Sequence, residues 1–361
     1  MASAPVTVLM PVYNREEYVG DAIRSILSQT YADFEFLIIN DGSTDNSREI
    51  IASYSDERIK VLDTENKGWA SALRTGVSQA KGRYIARMDS DDISLPKRLE
   101  QQNDYLDQNP NVAFVHSLVD YIDPNGELIR RRVGHCFSDI ETKWHLLWRN
   151  VVVHPAVMLR SSVLKKHNLN YLSDRYRADD FDLWNRLARV GDIHCIPEVL
   201  LRYRIHGDSA TRTNAMKAQF DVYRDVIKDN WAAYGKNITR ATAADLAVIS
   251  SGTQIDARYY QYDHLIDNLH IILSEIDEKF RLYHGIDREQ LDAAQASQLI
   301  SWARYMLSTS KLYAAKLLFI GFRRKYSVLL SLYFWTTLVA LFIPKKTVAR
   351  FAAIRQKFMN G

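Results

Sequence analysis

The sequence of 361 residues contains only two cysteines, Cys136 and Cys195. Two cysteines do not make the disulfide framework of a small secreted domain, so a reducing cytoplasm is the expected compartment. No basic leader with a hydrophobic run precedes the first predicted strand, which predicts that there is no signal peptide. With 47% apolar and 25% charged residues the composition is that of a globular protein, and the length predicts two or three domains.

Two glycine-rich motifs for phosphate binding are also missing. No Gly-x-Gly-x-x-Gly follows the first predicted strand, and no Gly-Lys-Ser or Gly-Lys-Thr occurs. The sequence therefore lacks the phosphate-binding loops of dinucleotide-binding proteins and of P-loop proteins, which argues against both classes. If this chain binds a nucleotide, a bound metal ion would have to bind the phosphates instead.

Acidic residues are absent after Asp292, whereas this last part of the chain contains eleven Lys and Arg residues. Within it, residues 326–343 form an uncharged run that would extend about 27 Å as a helix, barely enough to cross a hydrocarbon layer of about 30 Å. Beyond Pro344, apolar residues fall near one helical face, a pattern typical of an interfacial helix. We expect an in-plane or re-entrant attachment to an anionic membrane surface, with a true span or a buried core helix as alternatives. The tail has no supporting nucleic-acid-binding module, so no nucleic acid is expected as a partner.

What the sequence does contain is a cluster of acids, Asp89-Ser90-Asp91-Asp92, directly after an apolar strand predicted over residues 84–88. An isolated Asp-x-Asp is more often a solvated turn or a helix cap. Here the context is a βαβ start, with strands predicted over residues 6–10 and 34–39 and helices over 16–29 and 47–54. Clustered carboxylates inside a folded domain repel one another unless a divalent ion neutralises them, and their hard oxygens suit Mg²⁺ or Mn²⁺.

Strands that alternate with helices predict a parallel sheet, and ligands of open α/β sheets bind beyond the carboxyl ends of the strands. Tyr13, Asp41 and the acid cluster all follow predicted strands. One crevice could therefore hold an aromatic or backbone platform for a base, an acid that accepts from the base or from a ribose hydroxyl, and a metal for a diphosphate. A turn at residues 123–126 predicts a hairpin further along the chain.

These segments resemble the inverting glycosyltransferases of family 2, which have the GT-A fold. The resemblance covers roughly residues 5–210 and implies an α/β domain with a mostly parallel sheet flanked by helices. We expect this catalytic domain over residues 1–213, with a nucleotide-sugar half (1–105) and an acceptor half (106–213). Helical periodicity predicts a connector over residues 214–305, and the basic, apolar segment of residues 306–361 would follow it. The matching segments are Pro11-Val12-Tyr13-Asn14, Asn40-Asp41-Gly42-Ser43-Thr44-Asp45, residues 66–76, 80–92 and 177–184, and Tyr203-Arg204-Ile205-His206.

The resemblance also implies roles for individual residues on the donor side. Asp91 would bind a Mn²⁺ or Mg²⁺ ion that bridges two phosphates, and Asp89 would bind the ribose or the same metal. His206 would complete the metal shell or touch the diphosphate, although a histidine alone is more often an ordinary hydrogen-bonded residue. The remaining donor-side residues implied are Pro11, Tyr13, Asp41 and Arg74. Tyr13 could equally be core packing, and Arg74 stands where the closest relatives usually have Asn.

On the acceptor side, the resemblance makes Asp180 the catalytic base. Asp179 precedes it where Glu is usual, which leaves the role of this shorter side chain open, and two acids at the start of a predicted helix over residues 179–190 could be mere helix-terminal acids. Trp184 and His154 are further acceptor-side candidates. For Trp184, burial in the helix-packing face is the stronger interpretation, and for His154 a structural role is at least as well supported.

The sequence thus predicts a metal-dependent inverting glycosyltransferase that moves a sugar from a nucleotide-diphosphate donor, with a UDP-sugar expected, to a glycan or lipid-linked glycan. Its expected place is the cytoplasmic face of the bacterial inner membrane, in polysaccharide assembly. Two alternatives remain: a catalytically inactive sugar-nucleotide-binding or scaffold protein, and a sugar nucleotidyltransferase. The latter would be expected to carry a triphosphate loop rich in glycine and basic residues, whereas residues 11–15 supply only one cation.

Overall fold

The computed structural model describes residues 5–175, 178–207, 216–239, 242–243, 246, 276–306 and 318. These residues fall into two compact units. The first contains the described residues up to Ser138 and those from Val151 to 207, and the second contains Asp139–Asn150 and the described residues after 215. Residues 139–150 therefore interrupt the predicted acceptor half. The predicted domain boundaries themselves stay a prediction.

The amino-terminal half of the first unit is a parallel sheet with helices between its strands. In chain order it consists of β1 (Val6–Val12), α1 (Val19–Leu27), β2 (Phe34–Asp41), α2 (Ser47–Ala52), β3 (Ile59–Thr64), α3 (Trp69–Gln79) and β4 (Tyr84–Arg87). The strands lie in the order β3-β2-β1-β4, and all three pairings are parallel. Their carboxyl ends therefore meet at one edge of the sheet, as predicted.

The sheet continues beyond β4 with mixed directions. Its further elements are β5 (Ile93–Ser94), α4 (Arg98–Gln108), β6 (Val112–Ile122), β7 (Leu128–Val133), a 3₁₀ turn (His154–Ala156), β8 (Met158–Arg160), α6 (Ser161–Lys166), α7 (Asp179–Ala188) and β9 (Asp192–Arg204). β8 lies antiparallel between β4 and β6, β6 runs parallel to β9, and β5 closes the order against β9. The longest pairings are parallel, so the predicted α/β class with a mostly parallel sheet flanked by helices is confirmed.

The core explains why these segments fold as they do. Every residue of β1 is buried, as expected for a parallel strand that is covered on both faces. In α1, Val19, Ala22, Ile23 and Ile26 are buried at helical spacing and so form the face that packs on the sheet. A Cβ on Gly76 of α3 would lie 2.1 Å from a methyl carbon of Leu9, so glycine allows this helix to approach β1 closely.

The hairpin between β6 and β7 confirms the predicted turn. Asp123 N–H donates to the Glu127 carbonyl at 2.8 Å, and Gly126 N–H donates to the Asp123 carbonyl at 3.0 Å. Gly126 has a φ of 88°, a left-handed conformation that glycine adopts at little cost.

The two cysteines of the chain, Cys136 and Cys195, form a disulfide with each other. Cys136 follows β7, and Cys195 lies on β9. Since β6 pairs with both β7 and β9, the sheet brings the two residues together across 59 positions of sequence, a proximity that sequence spacing does not show. The expectation of a reducing cytoplasm rested on the absence of a disulfide framework, and since one disulfide is not such a framework, that expectation stays a prediction.

The second unit is helical in its described parts. It contains α5 (Asp139–Leu146), α8 (Met216–Ala233), a helical segment over residues 276–284 and α9 (Arg288–Met306). Trp148 lies at the centre of its core and contacts three other buried tryptophan rings, all edge to face. This geometry places the electron-poor edge of one ring on the electron-rich face of another. The three partner rings are those of Trp144, Trp231 and Trp302.

Among the described residues, no helix is both long and apolar enough to cross a membrane. The predicted membrane-associating segment of residues 306–361 lies outside the described residues except at positions 306 and 318. Its attachment to a membrane therefore stays a prediction.

Candidate active site

Three carboxylates converge at the carboxyl end of β4. One oxygen from each of Asp89, Asp91 and Asp92 lies within 4.8 Å of the others. The main chain of Arg204 donates to Asp92 Oδ1 at 2.8 Å, whereas Asp92 Oδ2 is buried without a hydrogen-bond partner among the described residues. A buried carboxylate oxygen without a donor is costly unless a cation meets it. The donor set, which is all carboxylate oxygen, thus fits Mg²⁺ or Mn²⁺.

The electrostatics of this acid cluster agree with its geometry. Burial raises the pKa of Asp92 well above its ordinary value, and the charges of Asp91 and Asp89 raise it further. Burial also raises the pKa of Asp89, against the opposing charge of Arg87. A divalent cation would relieve this repulsion. The resemblance implied Asp89, Asp91 and His206 as ligands and gave Asp92 no separate role, whereas the structure places Asp92 in the same group of carboxylates.

Asp91 accepts hydrogen bonds from two side chains that are far apart in the sequence. Arg15 Nε donates to Asp91 Oδ2 at 3.1 Å, and His206 Nε2 lies 3.0 Å from the same oxygen. Burial alone would raise the pKa of Asp91, but the His206 hydrogen bond and the Arg15 charge outweigh it and lower the pKa below its ordinary value. Asp91 is therefore ionised at neutral pH. His206 therefore lies beside the acid cluster, in contact with Asp91. Its role as a metal ligand stays a prediction.

Two arginines contact the acid cluster: Arg87 pairs with one of its carboxylates, and Arg204 binds its main chain. Arg87, at the end of β4, forms an ion pair with Asp89 at 2.5 Å. Arg204, at the end of β9, donates from Nε to the Asp91 carbonyl at 2.8 Å and from Nη1 to the Pro124 carbonyl at 2.7 Å. The Arg204 side chain is only 2% exposed. It therefore ties the acid loop to the hairpin turn that follows β6.

The residues predicted for the donor base lie at the ends of β1 and β2. Pro11 is buried within β1, whereas Tyr13 follows this strand and is 45% exposed, so its ring is not part of the core. Asp41 ends β2, is 3% exposed, and accepts the main-chain N–H of Lys67 at 3.0 Å. Asn14 Oδ1 accepts from Thr44 N–H at 2.8 Å and so links the two loops.

A second pair of acids opens α7. Asp179 is 2% exposed and accepts a hydrogen bond from Trp69 Nε1 at 3.0 Å through Oδ1. Its Oδ2 is buried without a hydrogen-bond partner among the described residues. Asp180 is partly buried and accepts the main-chain N–H of Phe181 at 2.7 Å. The cap position of this helix is Ala178, so neither acid is the capping residue, although both lie in the first turn where acids favour the helix dipole.

The two groups of acids are close enough for their charges to interact. Burial raises the pKa of Asp179, the Trp69 hydrogen bond and the Arg87 charge oppose this effect, and the Asp89 charge adds to it. Tyr171, whose pKa burial raises strongly, is also affected by the charges of Arg87, Asp179 and Asp180. The acids that follow β4 and those of α7 are therefore within range of one another's charge.

Three further predicted residues have different surroundings. His154 Nε2 forms a hydrogen bond with Tyr171 Oη at 2.8 Å, and burial followed by the Arg87 charge lowers its pKa well below the ordinary value, so the ring is neutral. Trp184 is fully buried against Phe114, at 4.9 Å between ring centroids, and therefore offers no ring face to an acceptor sugar. The exposed side chain of Arg74 pairs with none of the acids that the structure describes.

Replacing Asp179 by Asn is expected to stabilise the folded protein at pH 8 but not at pH 4. Burial raises the pKa of Asp179 to about 6, above its value of about 4 in an unfolded chain. The folded state therefore binds more protons between these values, and the contribution of this group to stability falls as the pH rises from 4 to 6. Above pH 6 the ionised carboxylate costs about 3 kcal/mol, whereas Asn is neutral and still accepts from Trp69.

Denaturant unfolding of both proteins in EDTA at pH 4, 6 and 8 measures this difference. The advantage of the variant should grow from near zero at pH 4 to its full value at pH 8. An equal difference at all three values, or a larger one at pH 4, would contradict a raised pKa at Asp179.

Comparison with known proteins shows the family of this chain. Residues 7–167 match the model of glycosyl transferase family 2. An O-antigen biosynthesis glycosyltransferase of Escherichia coli, WbnJ, is 36% identical over 58% of this chain and 82% of its own length. The chain belongs to glycosyl transferase family 2. This family assignment supports a role in glycosyl transfer and confirms the resemblance found in the sequence.

Two further comparisons extend the family 2 assignment. The UDP-Glc:alpha-D-GlcNAc-diphosphoundecaprenol beta-1,3-glucosyltransferase WfgD of Escherichia coli is 31% identical over 62% of this chain and 87% of its own length. The crystal structure of S. aureus TarS 1-349 in complex with UDP-GlcNAc superposes with a TM-score of 0.54, covers 89% of this chain and 90% of its own, and is 15% identical. At that identity the likeness concerns the fold, and it confirms the GT-A architecture of this family 2 member.

Proposed function

We propose that this chain is a metal-dependent inverting glycosyltransferase that moves a sugar from a UDP-sugar to a hydroxyl of a lipid-linked glycan. The observation that carries this proposal is the convergence of Asp89, Asp91 and Asp92 within 4.8 Å, beside a second pair of acids on α7. Such a pair of acidic groups suits a reaction that needs both a cation site for a diphosphate and a base for a hydroxyl.

The donor would lie across the ends of β1, β2 and β4. The exposed ring of Tyr13 supplies a face for the base, and Asp41 lies at the neighbouring strand end. The carboxylates of Asp89, Asp91 and Asp92 would hold Mn²⁺ or Mg²⁺, which when bound supplies a Lewis acid for the departing diphosphate. His206 contributes by keeping Asp91 ionised.

The acceptor hydroxyl would lose its proton to Asp180. As the acceptor oxygen forms its bond to the anomeric carbon, the bond from that carbon to the phosphate oxygen breaks, and the nucleoside diphosphate leaves with the electron pair. A single displacement of this kind inverts the anomeric centre. The buried Oδ2 of Asp179, to which no described residue donates, would accept from a sugar hydroxyl. His154, held neutral beside Tyr171, would line the same side.

The nature of the substrates rests on relatives and on the tail. WfgD, which is 31% identical, is a glucosyltransferase with UDP-Glc as donor and a diphosphoundecaprenol-linked acceptor, and WbnJ is a glycosyltransferase of O-antigen biosynthesis. The basic, apolar residues 306–361 suit attachment at an anionic surface. We therefore propose polysaccharide assembly at the cytoplasmic face of a bacterial inner membrane, with peripheral or monotopic attachment.

A thermal-shift screen of nucleoside diphosphates, each with Mn²⁺ or with EDTA, tests this function. UDP is expected to raise the melting temperature when Mn²⁺ is present, because a ligand at 100 times its dissociation constant stabilises a protein by about 2.7 kcal/mol. In EDTA the shift should be much smaller. If no nucleoside diphosphate stabilised the protein with Mn²⁺, or if the shifts were the same in EDTA, a metal-dependent sugar-nucleotide enzyme would be ruled out.

A further inference from the structure

Arg15 is the most accessible of the three arginines that hold the acid cluster. Its side chain is 24% exposed, whereas those of Arg87 and Arg204 are 6% and 2% exposed. Both buried arginines are bound to the acid loop or its neighbours, as described above. Arg15 lies in the loop after β1, between Tyr13 and α1. This loop is at the strand end across which the donor is proposed to lie.

The position of Arg15 is fixed by three hydrogen bonds. Its main-chain N–H donates to Ser47 Oγ at 2.7 Å, its Nη1 donates to the Asn14 carbonyl at 2.9 Å, and its Nε donates to Asp91 Oδ2 at 3.1 Å. Its Nη2 donates to none of the residues that the structure describes. The guanidinium is thus held against the acid cluster with donor capacity left over.

A guanidinium in this setting is suited to phosphate. Its planar fork of N–H donors matches two phosphate oxygens, and it keeps its charge at all relevant pH values. Arg204 also pairs with Asp21, and these two charges cancel. With Asp89, Asp91 and Asp92 ionised, the charges of Arg87, Arg15 and one divalent cation together exceed those of the acids by one. The site would then carry a net positive charge and attract an anion. Arg15 is the accessible positive side chain beside the acid cluster.

We propose that Arg15 binds a phosphate of the donor diphosphate directly and so helps to hold the leaving group. This inference rests on the proposed function, since it needs a nucleoside diphosphate at the acid cluster. The contrasting role is that of a counterion, in which Arg15 only neutralises Asp91. Under that role, substitution would change the acid cluster and its metal affinity but would not specifically weaken the nucleotide.

The two roles separate when metal and nucleotide binding are measured independently. Mn²⁺ affinity is measured by electron paramagnetic resonance without nucleotide, and UDP affinity by calorimetry at saturating Mn²⁺. For Arg15→Gln we expect UDP affinity to fall by about 10- to 100-fold, the effect of losing a hydrogen bond to a charged group. Mn²⁺ affinity should not fall, because a competitor for Asp91 has been removed. Arg15→Lys should be intermediate, since it keeps the charge but not the fork.

Arg83→Gln is the matched control. Arg83 also pairs with an aspartate at 3.1 Å, here Asp107, but it precedes β4 and therefore lies at the opposite end of that strand from the acid cluster. This variant should bind UDP and Mn²⁺ as the wild type does, and the melting temperature of each variant without ligand shows whether it is folded.

Two results would overturn the inference alone: UDP affinity of Arg15→Gln within about twofold of the wild type, or a loss of Mn²⁺ affinity large enough to account for the loss of UDP affinity. Failure of the proposed function would look different. In that case the wild-type protein itself would bind no nucleoside diphosphate at saturating Mn²⁺, and both proposals would fall.

Discussion

Replacing Asp180 by Asn is expected to slow sugar transfer by about 10²- to 10⁴-fold while leaving donor binding intact, because a carboxylate that accepts the proton of the attacking hydroxyl contributes that much. Asp180 lies in the first turn of α7, partly open to solvent, with the Phe181 N–H on one of its oxygens. Asn has the same shape and can accept the same hydrogen bond. It cannot take up a proton at neutral pH, so the chemical step should suffer rather than the fold.

Initial rates of transfer, together with UDP affinity at saturating Mn²⁺, measure this separation. Asp192→Asn is a suitable control, since Asp192 begins β9 at the end of the strand far from Arg204 and the acid loop. If Asp180→Asn kept wild-type rates, or lost UDP binding in parallel with activity, Asp180 would not be the base.

Replacing Asp91 by Asn is expected to reduce both Mn²⁺ affinity and transfer by about 100-fold or more, because even residues that only orient a metal ligand typically account for 10- to 100-fold. The hydrogen bond from His206 and the charge of Arg15 keep Asp91 ionised. The substitution therefore removes a full negative charge from the oxygen set. In the variant, Arg15 and His206 would face a neutral amide instead of a carboxylate.

The same change should not unfold the protein. The charge of Asp91 raises the pKa values of Asp89 and Asp92, so its removal relieves repulsion within the acid cluster. We expect the melting temperature in EDTA to equal or exceed that of the wild type, while the shift caused by Mn²⁺ and UDP is lost. Asp104→Asn, on the exposed side of α4, provides a control that keeps this shift. A normal ligand-induced shift in Asp91→Asn would show that Asp91 is not a metal ligand.

The parts of the fold encoded in contiguous segments could be predicted from the sequence. The apolar strands β1, β2 and β4 and the polar residues at their ends were assigned correctly, because burial on both faces leaves uninterrupted apolar runs. The start of α1 was less accurate, since the predicted helix begins at Glu16 and the observed one at Val19. Here Glu16 N–H donates to Asp45 at 3.0 Å, so a contact with the next loop keeps the chain in a turn.

Contacts between distant segments could not be predicted in the same way. The Cys136–Cys195 disulfide, the Trp69–Asp179 hydrogen bond and the Arg15–Asp91 ion pair join residues that are 59, 110 and 76 positions apart. Each depends on the order of strands in the sheet. Local patterns do not specify that order, and the antiparallel insertion of β8 between β4 and β6 had no signal of its own.

Whether a single aromatic side chain is buried or exposed is also difficult to predict from the sequence. An aromatic residue on an amphipathic helix can face the core or a ligand, and the periodicity is the same in both cases. Trp184 faces the core, as the stronger interpretation held, and Tyr13 is exposed beside a strand end. The sheet and its loops decide such cases, whereas clustered charges such as Asp89-Ser90-Asp91-Asp92 indicate their chemistry already in the sequence.

The central claim is that one divalent cation joins these carboxylates to the diphosphate of the donor. Anomalous scattering at the manganese edge, from crystals grown with Mn²⁺ and UDP, tests it most directly. We expect one strong peak about 2.0–2.6 Å from a carboxylate oxygen of Asp91 and in contact with both phosphates. Well-ordered UDP without a peak at Asp89, Asp91 or Asp92, or a peak bound elsewhere, would contradict it.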